Sequence, residues 1–192
     1  LFTGPSTVTL DTNSPMVVVD GSGIVGDDLK LALVSACAST WMEAALNDPS
    51  AGQRWVIYEE GWRIMQVGAL LARMNSQFKR TRHLGLANMI ILHGLGDLDM
   101  VGNADSAERA RALRLISDCS TKVLYAQEPG DGADEIARRL GLNDAERDVL
   151  PTLGAGVALW KVKDRGFMVA HQITDAEKAR FGTDKRMGGR VA

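Results

Sequence analysis

Apolar and polar positions fall in blocks along the chain, and the period of each block predicts its element. Met16-Val17-Val18-Val19-Asp20 is a short apolar run ending in an acid, which predicts a strand; Gly21-Ser22-Gly23 then turns the chain toward a helix from about Asp27 to Leu46. A loop of turn formers, Asn47-Asp48-Pro49-Ser50-Ala51-Gly52, leads to a second strand from Trp55 to Tyr58. Ile64, Val67, Leu70, Leu71 and Met74 then recur at helical spacing and predict one continuous amphipathic helix. Ala87 to Leu92 is a third apolar strand, ending at His93. Next come a helix from near Asp105 to Asp118, a strand from Lys122 to Ala126, and a helix from Ala133 to Leu140 that Gly141 closes. Asn143 caps a short helix that stops before Pro151.

The last third changes character. Gly156 to Val162 and Gly166 to His171 are β-rich runs flanking Lys163-Asp164-Arg165, the signature of a hairpin. Thr174-Asp175-Ala176-Glu177 has the spacing of a capping box and opens a final helix. Strands alternating with helices predict an α/β fold in one domain: a mostly parallel sheet flanked by helices, extended by a C-terminal antiparallel β-hairpin.

Composition narrows the function classes more than the fold. The 192 residues are 45% hydrophobic and 24% charged, with a net charge of −2, so the totals give no basic surface for nucleic acid. Cys37 and Cys119 lie far apart without metal-ligand or disulfide spacing, which fits a reducing compartment. His83, His93 and His171 are too dispersed for a zinc site. No apolar stretch is long enough to span a bilayer, and the N-terminal residues lack the design of a signal peptide. The chain opens on Leu1, from which a longer protein is expected, with about 100 or more residues ahead of it.

The candidate chemistry lies at Arg54-Trp55-Val56-Ile57-Tyr58-Glu59-Glu60-Gly61-Trp62, an apolar strand ending in two carboxylates with a helix directly after it. Ligands of parallel sheets collect at the carboxyl ends of the strands. There Glu59 is placed to hold Mg²⁺ through water, and Glu60 to polarise the water that attacks a γ-phosphate. The alternative is that acidic residues simply favour the positive N-terminus of the following helix. His93 ends the third strand, where an imidazole can orient water or donate to phosphate, or be a loop histidine satisfied locally. Arg80 and Arg82 follow the next helix; either can act as an arginine finger across a subunit boundary, or answer the dipole of that helix's C-terminus. Asp20 ends the first strand, near a nucleotide or as a helix cap. Asp97 and Asp99 flank a glycine-containing turn after His93 and form a mobile sensor loop or merely solvate it. Trp62 and Trp160 are packing anchors.

Five segments together resemble a known family. Tyr58-Glu59-Glu60-Gly61-Trp62, Lys79-Arg80-Thr81-Arg82-His83-Leu84-Gly85, His93-Gly94-Leu95-Gly96-Asp97-Leu98, Leu150-Pro151-Thr152-Leu153-Gly154 and Phe181-Gly182-Thr183-Asp184 are similar, in order and spacing, to successive motifs of the VirB/TraC-type ATPases of type IV secretion and conjugation, most closely the actinobacterial branch. The resemblance implies a RecA-like P-loop core that binds ATP and Mg²⁺ and hydrolyses ATP. It implies assembly as a hexamer with type IV secretion or conjugation proteins, in the cytoplasm at the inner face of the membrane. A non-catalytic RecA-like assembly module and a DNA-translocating relative are the alternatives, the latter with DNA as a partner. Two departures qualify it. The phosphate loop G-x-x-x-x-G-K-[ST] occurs nowhere in the chain, and Gly21-Ser22-Gly23 lacks its lysine. Residues 1–192 are therefore expected to form a partial RecA-like domain, inactive alone and a poor binder of ATP. Glu59, moreover, stands where many P-loop enzymes carry Asp, one methylene shorter.

Overall fold

The computed structural model describes residues 14–24, 27–47, 52–81 and 83–182. The chain divides into two compact units, Leu1–Leu115 and Ile116–Ala192.

In the first unit, α1 (Asp28–Leu46) starts where the Asp27 carboxylate accepts the Lys30 N–H at 3.0 Å. It is followed by β1 (Arg54–Tyr58), α2 (Gly61–Met65), α3 (Gly68–Lys79), β2 (Leu86–Ile90) and α4 (Ala107–Ser117), whose last two residues fall in the second unit. β1 and β2 pair in parallel, from Arg54 opposite Leu86 to Tyr58 opposite Ile90. Parallel neighbours need a crossover, and α2 and α3 supply it. One face of the pair is buried through Val56, Tyr58 and Leu86, in a core with Met65, Leu70, Leu71 and Met74. The other face is open, with Trp55 66%, Ile57 58% and Met89 41% exposed.

Polar side chains also fill the covered face. Tyr58 Oη donates to Gln77 Oε1 at 2.9 Å, Gln77 Nε2 to Asn88 Oδ1 at 2.7 Å, and Asn88 Nδ2 to Thr81 Oγ1 at 3.0 Å. Burial pushes the Tyr58 phenol up to about 12, the bond to Gln77 opposing only part of the shift. The hydroxyl is therefore a permanent donor that holds β1 to α3.

The second unit is antiparallel in its sheet. β3 (Thr121–Leu124) pairs with β4 (Val157–Val162), and β4 with β5 (Arg165–Ala170). α5 (Asp131–Leu140) ends on Gly141 at φ 68, and α6 (Asp144–Val149) starts from Asn143, whose side chain accepts the Glu146 N–H while Glu146 accepts the Asn143 N–H, both at 2.9 Å. α7 (Asp175–Phe181) is capped by Thr174 in the same reciprocal way.

Four expectations need correction. Met16–Asp20 forms no strand: Met16 is 75% and Val18 71% exposed, and the run joins neither sheet among the described residues. The expected helix beyond Glu60 is two helices, because Val67 turns extended (φ −90, ψ 104) before Gly68 restarts the coil. The strand after α4 belongs to the antiparallel sheet. The mostly parallel sheet is thereby reduced, among the described residues, to the pair β1–β2, and the fold is mixed α/β.

Candidate functional site

The carboxyl ends of β1 and β2 bring three of the expected residues together. Pairing continues one step past the strands, where the Ile91 N–H donates to Tyr58 O at 2.9 Å and the Gly61 N–H to Ile91 O at 3.3 Å. This seats the start of α2 on the end of β2 so closely that a Cβ on Gly61 would lie 2.8 Å from Ile90 Cγ2. Glu59 is exposed, and it continues the alternation of Trp55 and Ile57 on the open face. Glu60 caps α2 with φ 48 and ψ 44, a left-handed conformation that non-glycine residues adopt at an energetic disadvantage.

That backbone places the Glu60 carboxylate between two cationic or polar partners. Oε2 accepts from Arg63 Nε at 2.5 Å, and Oε1 lies 3.6 Å from Nε2 of His93, which has its side chain 77% exposed. The hydrogen bond from Arg63 is the strongest influence on the carboxyl; opposed by desolvation but aided by Arg63's charge and by His93, it holds the pKa below the ordinary glutamate value. Glu60 is thus an ionised acceptor, 41% exposed, at the mouth of the strand pair. The Arg63 guanidinium lies over the Trp62 ring at 4.7 Å. Trp62 Nε1 is buried without a hydrogen-bond partner, so the residue contributes its ring.

The segment after His93 is tied down. Both the His93 and Gly94 N–H groups donate to Asp97 Oδ2 at 3.2 Å. Leu95–Met100 forms a 3-10 helix with Leu95 and Leu98 buried. Gln66 Nε2 at the end of α2 donates to Met100 O at 3.4 Å. From α4, Arg109 donates to the carbonyls of Asp99, Val101 and Gly102 and lies 3.5 Å from the Asp99 carboxylate. Asp97 and Asp99 stand out in the sequence, whereas Arg63, Gln66 and Arg109 do not. The i, i+3 spacing of Glu60 and Arg63 was the one local signal available.

Arg80 is elsewhere. It caps α3, and the neighbouring Thr81 O accepts the Leu86 N–H at 2.9 Å, so it sits at the amino ends of strands whose carboxyl ends carry Glu60. A five-residue strand separates those ends by about 16 Å. There Arg80 Nη2 lies 3.6 Å from Glu43 on α1, which Arg73 also grips. Asp20 lies in the exposed irregular segment before α1. Arg82 falls outside the described residues, as do Thr183 and Asp184.

Mg²⁺ asks little of a protein, commonly one or two carboxylates with water and phosphate completing its shell. Exposed Glu59 at a strand end fits that demand, and the described residues hold no cluster of three metal-ligating side chains that would suit a dedicated cage. The sequence lacks the G-x-x-x-x-G-K-[ST] motif whose lysine and backbone would cradle phosphate. Among the described residues no helix is long and apolar enough to cross a membrane.

No protein-family model and no curated protein matches the chain. Among solved structures it is similar to VirB4 of Thermoanaerobacter pseudethanolicus, with a TM-score of 0.63 at 17% identity, over 80% of this chain and 40% of that one. The chain therefore spans less than half the length of that protein. At this identity the likeness is one of fold, and the fold is VirB4-like.

Proposed function

We propose that the chain is part of a Mg-ATP-hydrolysing motor that energises type IV secretion or conjugal transfer. The observation that carries this reading is the meeting of an ionised, backbone-strained Glu60 with His93 at the carboxyl ends of two parallel strands, within a VirB4-like fold. Phosphoryl transfer asks a protein mainly for positioning and charge stabilisation. Glu60 accepts a hydrogen bond from the attacking water and draws off its proton. His93, on the other side of that carboxylate oxygen, orients the water or donates to the transferred phosphate. Glu59 would hold Mg²⁺ through water, and that ion would supply charge neutralisation for the phosphate oxygens. The phosphate cradle belongs to a part of a longer polypeptide that this chain does not contain, and that polypeptide works as a hexamer with secretion proteins at the cytoplasmic face of the membrane.

Glu60→Gln in that longer polypeptide tests the reading. The variant should bind ATP as the wild type does while turnover falls by at least about 10²-fold, the scale of general-base catalysis. Hydrolysis at the wild-type rate would remove Glu60 from the reaction.

A second reading has its own support. The open face of β1 and β2, carrying Trp55, Ile57 and Met89, is unusual for parallel strands, which are ordinarily covered on both sides. Exposed apolar surface of this kind suits an assembly module without catalysis. Wild-type ATP turnover lost in Glu60→Gln favours the motor; assembly with no turnover favours the module. Stimulation of turnover by DNA would identify a translocase.

A further inference from the structure

We propose that Arg63 is a positioning residue that grips one oxygen of Glu60 and leaves the other free for water beside His93. The inference rests on the catalytic reading of Glu60 given above. Glu60 enters α2 through a left-handed backbone, and its side chain has no capping bond of its own to hold it. The restraint comes from the next turn. The Arg63 N–H donates to Glu60 O at 3.0 Å, and its Nε donates to Glu60 Oε2 at 2.5 Å, so one residue fixes both the carbonyl and the carboxylate. The guanidinium is itself fixed by its position 4.7 Å from the centre of the Trp62 ring. Oε1 is left facing His93 Nε2 at 3.6 Å, beyond a strong hydrogen bond and on the side toward the end of β2.

Arginine suits this work for a geometric reason. Its planar guanidinium can stack on an aromatic face while its Nε edge donates in the same plane, whereas a lysine ammonium supplies only a point charge. An ionised carboxylate swinging freely would point both oxygens at solvent. Held by Arg63, it presents one oxygen in one place, which is what a general base in phosphoryl transfer requires.

The test uses the longer polypeptide with its phosphate loop, measured in steady state beside Glu60→Gln. Arg63→Met should lower kcat by about 10- to 100-fold, the scale of a misplaced catalytic group, with the KM for ATP unchanged. Arg63→Lys should recover only part of the loss, because charge returns without the stack. A kcat for Arg63→Met within about twofold of wild type, or a defect confined to KM, overturns the proposal. So does full recovery in Arg63→Lys, which would make the role one of charge alone. If Arg63→Met fails to fold, the lysine variant decides by the same criterion. Inactive Glu60→Gln beside fully active Arg63 variants would sink this inference alone, whereas an active Glu60→Gln would sink the catalytic reading beneath it.

Discussion

Glu60 stands in a conformation that L residues avoid, on the order of 1–2 kcal/mol above the right-handed alternative. Such an outlier persists only where its surroundings hold it, here the close seat of Gly61 on Ile90 and the two bonds from Arg63. Glycine adopts the same φ without penalty, and the exposed ion pair that would be lost is worth little. Glu60→Gly should therefore unfold at a urea concentration equal to or higher than the wild type, with a gain of up to about 1 kcal/mol, while the carboxylate's chemistry disappears. Stability given up for activity at one position is the mark of a functional residue. A loss of more than about 1 kcal/mol would mean that the side chain at 60 is kept for structure.

At the scale of elements, what was legible in the sequence was local. Caps at Asn143 and Thr174 and the Gly141 stop lie where residue chemistry places them, and the hairpin turns within the expected Lys163-Asp164-Arg165 although Arg165 already belongs to β5, because each is decided within a few positions of itself. Partner choice is decided at a distance. The 122–126 run looks the same whether it joins a parallel or an antiparallel neighbour, and Thr121–Leu124 found β4. Likewise, Met16–Val19 has the apolar character of a strand but joins neither sheet among the described residues. Of the site, the strand-end carboxylates and His93 were readable from position, whereas Arg109's hold on the 99–102 carbonyls was not: it depends on how α4 returns to a loop eight residues earlier.

One tertiary tie in the second unit was equally hidden, and it makes a pH-dependent prediction. Lys161 on β4 donates to Glu146 Oε2 on α6 at 2.6 Å, with both side chains about nine-tenths buried, and a Cβ on Gly166 would fall 2.6 Å from Glu146 Oε1. Burial pushes the Glu146 carboxyl up, but the Lys161 hydrogen bond, the Asn143 N–H and the Lys161 charge outweigh it and leave the pKa below the ordinary value. With the folded value depressed, the pair stabilises the fold fully above the unfolded glutamate pKa and loses that contribution as pH falls through the folded one. Glu146→Gln leaves a buried ammonium without its counter-charge, so it should cost about 3 kcal/mol at neutral pH. In urea titrations the gap between wild type and variant should close progressively in acid. A gap that stays constant from neutral pH to pH 3 would show that ionisation of Glu146 contributes nothing.

On the scale of the whole molecule, the distance between Arg80 and Glu60 sets what either can do. The two occupy opposite ends of β1, about 16 Å apart, and Arg80 answers Glu43 where it stands. An arginine at that end cannot reach a phosphate beside Glu60 in its own chain without rebuilding α3. In a ring of identical subunits, however, the amino end of one sheet can border the carboxyl end of the next, and Arg80 or Arg82 would then complete a neighbour's site rather than its own. Mixing separates these cases. Arg80→Ala and Glu60→Gln proteins are each inactive if both residues are required, but in mixed rings some interfaces combine an intact Glu60 on one side with an intact Arg80 on the other. ATP turnover should reappear on mixing, rising toward about a quarter of the wild-type rate for a random equimolar assembly in which each interface acts alone. Arg82→Ala, tested against the same partner, shows which arginine crosses the boundary. If each mixture is as inactive as its components, neither arginine acts in trans, and Arg80 is left with the structural role it has against Glu43.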